Sequence, residues 1–528
     1  MIQASTLSGY FHGFWRVLSS VALAGMLAGC PQKSDDSTLR IQLTAEPVSL
    51  DPSLAEDGIS MRVLANLMDG LVGYDEQGKL ENRLAESHHV SMDQRTYTFT
   101  IRSGALWSDG RPVTADDFAV GLLRTLDPAT GAKTANQLFA IRGAEGYHFK
   151  RKTASAVGIR VANGQLVVEL ERPTSYFTQV LSLVGAYPQR ADYLTAHAGK
   201  WDERAPVTGP YLMVEHRLEQ SIRLIPNPRY WKRQAIPSAP LPMPVTLQVV
   251  GDDTTAVNLF ESGLLDILVR VSTPELARFK TRGWARIDPF DATYYLSFNT
   301  RVEPFNHREW RRAVSGAIRR TEIVTAMGGA ELPARGWVPL GLEGYIPYED
   351  PALHFAESME KVKSEITAGA PAKIIAGFDS SDRNQLVMEK VQQDLQKSLG
   401  LAVELQHLDW KAYIKSMQVK PAQIYRFGWL APFRDPITHL EAFTSKNPNN
   451  YSGWSNRTYD ALVAEVAHLP SGPARAAKIV EAQRLLVDED AAIVPLFHYV
   501  QVHAVSNRVL GFNVAPNGVI RFDRLKKR

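Results

Sequence analysis

Residues 424–436 read IYRFGWLAPFRDP. The first half alternates as a strand does, with Ile424 and Arg426 on one face and Tyr425 and Phe427 on the other. The pattern predicts a strand that breaks at Gly428. Pro432 and Pro436 follow, and neither can give an amide hydrogen to a central ladder. An aromatic strand end that opens into a proline-punctuated loop suits recognition, because rigid scaffolds carry most contact residues on their loops. These residues alone leave a second reading open, in which Trp429 is a core side chain at a buried strand end.

Outward from this stretch, the length of 528 residues exceeds the roughly 250–300 at which one core stops growing, so two or three domains are expected. The balance of 59 basic and 56 acidic residues, net +3, gives no broad field that would gather nucleic acid. The basic run Arg524, Lys526, Lys527, Arg528 reads as a solvated chain end. Near the start, His12 and Arg16 precede an apolar run over 17–28, closed by Leu27-Ala28-Gly29-Cys30. That run is shorter than the roughly 20 residues of a membrane-spanning helix, and small residues stand before the single cysteine of the chain. The segment resembles the lipobox of bacterial lipoprotein signal peptides. The resemblance implies that residues 1–30 form a lipoprotein signal region, with Cys30 acylated to anchor the protein to a membrane. An ordinary secretory signal is the alternative.

Strands and helices then follow one another. Residues 39–44 alternate as a first strand, and 60–68 form a helix stopped at Asp69-Gly70. Thr114 fits an N-cap and Asp117 a shortened capping box, so Asp116 and Asp117 read as helix-start acids rather than a catalytic pair. Residues 157–161 and 166–170 flank Asn163-Gly164 and predict a hairpin. Four prolines between 236 and 244 suggest a stiff connector. A strand–helix–strand unit spans 245–270, a strand is expected over 294–298, and one long helix over about 307–327. A second series takes in strand 374–378, helix 384–398, strand 403–408 and helix 410–417. Helices at 458–467 and 474–488 and short strands around 494–505 complete an α/β pattern. His88-His89 falls in what reads as a polar connector.

No metalloprotease, nucleophile-elbow or phosphate-loop signature is present, and there is no cysteine nucleophile. That points to binding rather than catalysis, with no cofactor and no metal. Several blocks then converge. WSDGRPVTADDF (107–118), LDP (126–128), VTGPY (207–211), NPRYW (227–231), YYLSFNTRVEPFNHREWRRAVSGAIRR (294–320), GWLAPFRDP (428–436) and AAIVPLFHY (491–499) run in order over nearly the whole chain. Together they resemble the peptide-type solute-binding proteins of bacterial ABC importers, the extracellular solute-binding family five. Glu309-Trp310 replaces that family's usual Arg-Val.

The resemblance implies an α/β fold of the periplasmic-binding-protein type, with two hinged lobes of mixed sheets and a third, smaller domain. One lobe would be built from 31–73, 204–290 and 495–528, the small domain from 74–203 and the other lobe from 291–494. It implies a monomer that traps a peptide between lobes and passes it to a membrane permease and its ATPase. The peptide is held as an added strand, to which Phe427, Gly428, Trp429, Leu430 and Ala431 would contribute the edge. Trp429 and Trp410 would be aromatic walls, and Arg426 would face a ligand carboxylate. Arg383 adds positive charge and Asn384 stands where relatives have a ligand-facing His; Thr134 replaces a Tyr. The family's aspartate for the ligand α-ammonium is Pro432 here. An unpaired buried ammonium costs several kcal/mol, a large part of the roughly 8 kcal/mol of micromolar binding. The expected ligand is therefore N-blocked or anionic at that end, unless Asp435 turns its carboxylate inward. A receptor for a metal chelate, haem or sugar, or a sensory envelope lipoprotein, is the competing reading.

Overall fold

The computed structural model describes residues 37–75, 77–235, 241–369 and 373–528. Cys30, the leader expectation and part of the proline-rich connector lie outside them. The main sheet has eleven strands. From one edge it runs Ala402–Leu408, Lys373–Asp379, Ile424–Leu430, Ala285–Phe298, Ile493–Val505, Ile267–Leu268, Leu39–Leu43, Val245–Val249, Ser221–Pro226, Tyr211–Arg217. The two-residue strand Leu332–Pro333 pairs with Ile493–Val505 off this path.

Local sequence accounts for both halves. Leu39, Ile41 and Leu43 are buried in a strand that lies parallel to Val245–Val249. At the far edge, Lys373–Asp379 lies parallel to Ala402–Leu408 and to Ile424–Leu430. Helices Asp382–Leu399 and Trp410–Val419 make the crossovers that parallel strands require. In the middle, Ala285–Phe298 and Ile493–Val505 run antiparallel over their whole length, with a register break between Pro289 and Thr293.

A separate four-stranded sheet runs Ala85–Val90, Thr96–Ile101, Gln165–Glu169, Ile159–Ala162. The Asn163-Gly164 hairpin is there, with φ of 50° and 74°, the left-handed pair that a tight primed turn needs. The capping box at Thr114 is formed, and Asp117 also accepts from Trp107 Nε1 at 3.1 Å. Its carboxylate is thus spent on the helix start and the loop before it.

Five expectations need correction. The tail is not a solvated chain end, since Lys526–Lys527 pairs with Val509–Leu510 and the Lys527 ammonium is buried on Asp266 at 3.0 Å. His88 and His89 lie in the strand Ala85–Val90, not in a connector; it is an exposed edge strand, so its outward residues are polar and hide the pattern. The long helix over 307–327 is two, Arg308–Ala317 and Arg320–Ala326. The amide of Arg319 donates to the buried carboxylate of Asp394 at 2.9 Å instead of continuing the helix. The Arg320 guanidinium then takes the freed carbonyls of Ser315 and Ile318. Residues 493–505 form one strand of 13 residues rather than several short ones. The strand predicted to stop at Gly428 continues to Leu430, with Tyr294 opposite Gly428 and Ala292 opposite Leu430.

Buried side chains fall into more than one cluster. Leu296, Phe298, Trp310, Ile374, Val391, Leu395 and Leu496 belong to one, and Ile41, Phe99, Trp107, Phe177 and Val245 to another. A chain of this length distributes its apolar surface over several cores.

Candidate ligand-binding cleft

A cavity of about 800 Å³ draws its walls from segments remote in sequence. The turn and helix around Glu56–Arg62, the pair Thr134 and Gln137, the loop Ser182–Val184, residues Met327–Glu331, Arg383, the run Leu430–Pro432 and the strand Tyr499–His503 all reach it. Its size is that of a site for a small organic ligand.

The run Leu430–Pro432 ends the strand that opened the sequence reading. On one side that strand pairs with Ala285–Phe298 along its whole length. On the other side, Lys373–Asp379 pairs with it only at Ile424 and Tyr425. From Arg426 onward that edge has no strand partner among the described residues. The hydrogen-bonding phase follows from two contacts. The Ala431 amide donates inward to Asp291 O at 2.9 Å, while Arg426 O accepts from the Tyr413 hydroxyl on the outer side at 2.6 Å. Alternation by two then turns the main-chain groups of Gly428 and Leu430 outward, toward the free edge. Such an edge is a template for an extended chain.

The aromatic side chains divide. Phe427 is half-buried, its ring 6.0 Å from that of Trp410 and 6.2 Å from that of Tyr451. Trp410 is 52% exposed at the start of its helix. Trp429 is half-buried against the larger core, and its Nε1 is covered without a hydrogen-bond acceptor. Gly428 owes its identity to a neighbour rather than a turn, since a Cβ there would stand 2.8 Å from the Tyr499 hydroxyl. Tyr499 lines the cavity, so the absent Cβ lets the cleft wall close onto the strand.

The charged residues expected at the site are largely engaged. Arg426 forms an ion pair with Asp379, and its guanidinium lies 4.8 Å from the centre of the Tyr294 ring. Asn384 is buried, donating to Asp379 O at 3.0 Å and accepting from the Tyr294 hydroxyl at 3.2 Å. Both residues thus rest on the same pair, Asp379 and Tyr294, and lie outside the cavity lining. Arg383 does line the cavity, paired with Glu331 and stacked over Tyr499 at 5.1 Å. Asp435 does not turn inward. It is 4% exposed, accepts from Arg475 at 2.6 Å and from the Ile437 amide at 2.9 Å, and so fastens the helix Ile437–Glu441. Burial pushes its carboxyl upward even beside that guanidinium. Pro432 lines the cavity and offers no carboxylate there. Sequence reasoning did not reach Arg62, Glu331 or His503, which no local motif singles out, and Tyr499 entered only as the last residue of AAIVPLFHY.

A sequence model of the bacterial extracellular solute-binding proteins, family 5 Middle, matches residues 79–451. The chain belongs to this family. Among its family 5 relatives, the oligopeptide-binding protein OppA of Bacillus subtilis is 30% identical over 96% of each chain. The dipeptide-binding protein DppE of the same organism is 29% identical over 92% of this chain and 91% of its own. Among solved structures, the unliganded open form of the periplasmic murein tripeptide-binding protein MppA superposes with a TM-score of 0.82, at 26% identity, covering 94% of this chain and 98% of that one. OppA of Haemophilus influenzae in complex with RPPGFSPFR gives 0.73 at 25% identity, covering 93% and 99%. The fold is therefore the multi-domain α/β fold of periplasmic peptide-binding proteins, and the family is one of binding proteins.

Proposed function

We propose that this protein is the substrate-binding component of an ABC importer, capturing extended peptides or peptide-like solutes in the cleft without making or breaking a bond in them. The free edge after Tyr425, which reaches the cavity at Leu430–Pro432, carries this reading. An added strand satisfies main-chain groups that any peptide possesses, and side chains then project alternately into wet space. Relatives along the full length are oligopeptide- and dipeptide-binding proteins, which supports the same substrate class. Export to the cell envelope, a lipid anchor at Cys30, a monomeric state and delivery to a permease with its ATPase complete the proposal. Among the described residues no helix is long and apolar enough to cross a membrane.

At Pro432 the cleft has no carboxylate for an amino terminus, and Asp435 is occupied by Arg475. The preferred ligand is accordingly blocked or uncharged at that end. Native mass spectrometry of the purified protein identifies what it carries. Calorimetry with a free tripeptide and its N-acetyl form tests the preference. Tighter binding of the acetylated form is expected, and a clear preference for the free amine would refute the N-blocked reading.

A further inference from the structure

We propose that Arg62 is an anion anchor in the cleft: it receives a carboxylate of the bound peptide, so the site selects ligands that carry a free negative group. The inference rests on the peptide-capture reading and adds the charge of the ligand to it. Most charged side chains that face the cavity are held within the protein. Glu56 is held by Lys133 at 2.7 Å. Asp57 caps the helix Gly58–Leu67, accepting from the amides of Ile59 and Ser60 at 3.0 and 2.9 Å. Arg270 is held by Asp253 at 2.6 Å, and Arg383 by Glu331. Each of these charges has a fixed partner within the protein.

Arg62 differs. It lines the cavity from the second turn of that helix, and its Nε is covered without an acceptor. Among the described residues no carboxylate or carbonyl takes its guanidinium. The cavity's titratable neighbour His503 does not compensate it. Burial holds that imidazole neutral, with a pKa lowered to about 3, and the Arg62 charge adds to the effect. Its Nδ1 is itself without a hydrogen bond, the nearest carboxylate being Asp288 at 3.9 Å. Desolvation lowers the Arg62 pKa to about 10, which leaves it charged at neutral pH. Arg62 is half-buried, with its Nε covered and no internal partner, so it is poised to receive an anion, and a guanidinium offers a carboxylate a forked, two-bond contact. Arg426, the residue the sequence favoured for this role, is already neutralised by Asp379. The site's unmet positive charge therefore lies at Arg62, while Pro432 contributes no negative charge at the strand edge.

The test uses the full chain and four pools of tri- to pentapeptides, with amino termini free or acetylated and carboxyl termini free or amidated. Retention is read by native mass spectrometry and affinity by calorimetry, and the acid-to-amide ratio is taken on whichever amino-terminal form is held. The wild type is expected to hold acids about ten- to a hundred-fold tighter than amides, the range of a charge-assisted hydrogen-bonded pair. Arg62→Gln should bring the two within about three-fold, with its urea-unfolding midpoint as the check on folding, and Arg62→Lys should fall between. Equal retention of acids and amides by the wild type, or an undiminished preference in Arg62→Gln, overturns the assignment and leaves peptide capture standing. Failure of the wild type to retain any pool overturns peptide capture and the anchor with it.

Discussion

Gly428 shows how one absent carbon shapes the cleft. Its backbone lies in an ordinary strand, and the constraint comes from the Tyr499 hydroxyl across the wall. Gly428→Val would push the far end of Tyr499 into the cavity while the strand keeps its ladder. The expected result is a loss of peptide affinity of about ten-fold or more with a stability change within about 1–2 kcal/mol, the usual range for overpacking beside a yielding neighbour. Calorimetry and urea unfolding on one preparation separate the two effects. Three other residues set the response to acid. Burial lowers the pKa of His439, His498 and His503 to about 3, against 6.5 for the free side chain. The unfolded chain binds these protons first, so their contribution is intact above pH 6.5 and is lost as pH falls toward 3. Asp291 acts oppositely: burial raises it to about 6 from 3.8, so its share of stability declines as pH rises through that window. Burial also raises Asp117, Asp288, Asp435 and Glu441, which act in the same direction as Asp291. The histidines alone titrate across the whole of this window, and the unfolding temperature should drop between pH 6.5 and 4.5 in a fluorimetric scan. His498→Gln, which keeps a partner for the Thr293 hydroxyl, should flatten that slope.

At the scale of elements, what the sequence revealed is what neighbours along the chain decide. The Asn163-Gly164 hairpin and the Thr114 capping box follow from residues within a few positions of each other. The break between Arg308–Ala317 and Arg320–Ala326 was not legible because its causes, Asp394 and the Pro495 carbonyl, lie 75 and 175 residues away. The candidate site divides in the same way. The free edge at Gly428–Leu430 shows itself as an aromatic strand end with a glycine. Arg62 looks like any helix-surface arginine, because its significance is the partner it lacks. Asp435 misled, since Arg475, which claims it, comes 40 residues later. The broken helix also carries a prediction. Arg320 is fully buried, with its guanidinium on the carbonyls of Ser315, Ile318 and Pro495. Arg320→Ala leaves these acceptors dry and opens a cavity, so a loss of roughly 2–4 kcal/mol in urea-unfolding free energy is expected.

Across the whole molecule, the two long central strands are the feature that joins the parts of the main sheet. Ala285–Pro289 pairs with Val500–Ala504 at one end, and Thr293–Ser297 pairs with Ile493–His498 at the other, with the ladder interrupted between. A two-stranded ribbon with a gap in its register bends most easily at the gap, which is where hinge closure would concentrate its backbone change. Asp291 occupies that gap and ties three segments together. Its amide donates to Pro516 O at 3.1 Å, its carbonyl accepts from the Ala431 amide, and its carboxylate holds Arg434 at 2.9 Å. The gap is therefore joined directly to the loop that follows Leu430, so on the proposed capture reading a ligand held at Leu430–Pro432 would act on the gap through one residue. Asp291→Ala removes the carboxylate and leaves the largely buried Arg434 without its counter-charge. Breaking such a pair costs about 3–5 kcal/mol, which urea unfolding measures. Its effect on closure is read by small-angle scattering. On the proposed capture reading, the wild type should contract when the retained peptide pool is added. Asp291→Ala should bind but contract less, because the loop's pull no longer reaches the gap through a fixed ion pair. Equal contraction in both proteins would show that the lobes close by a route that bypasses Asp291.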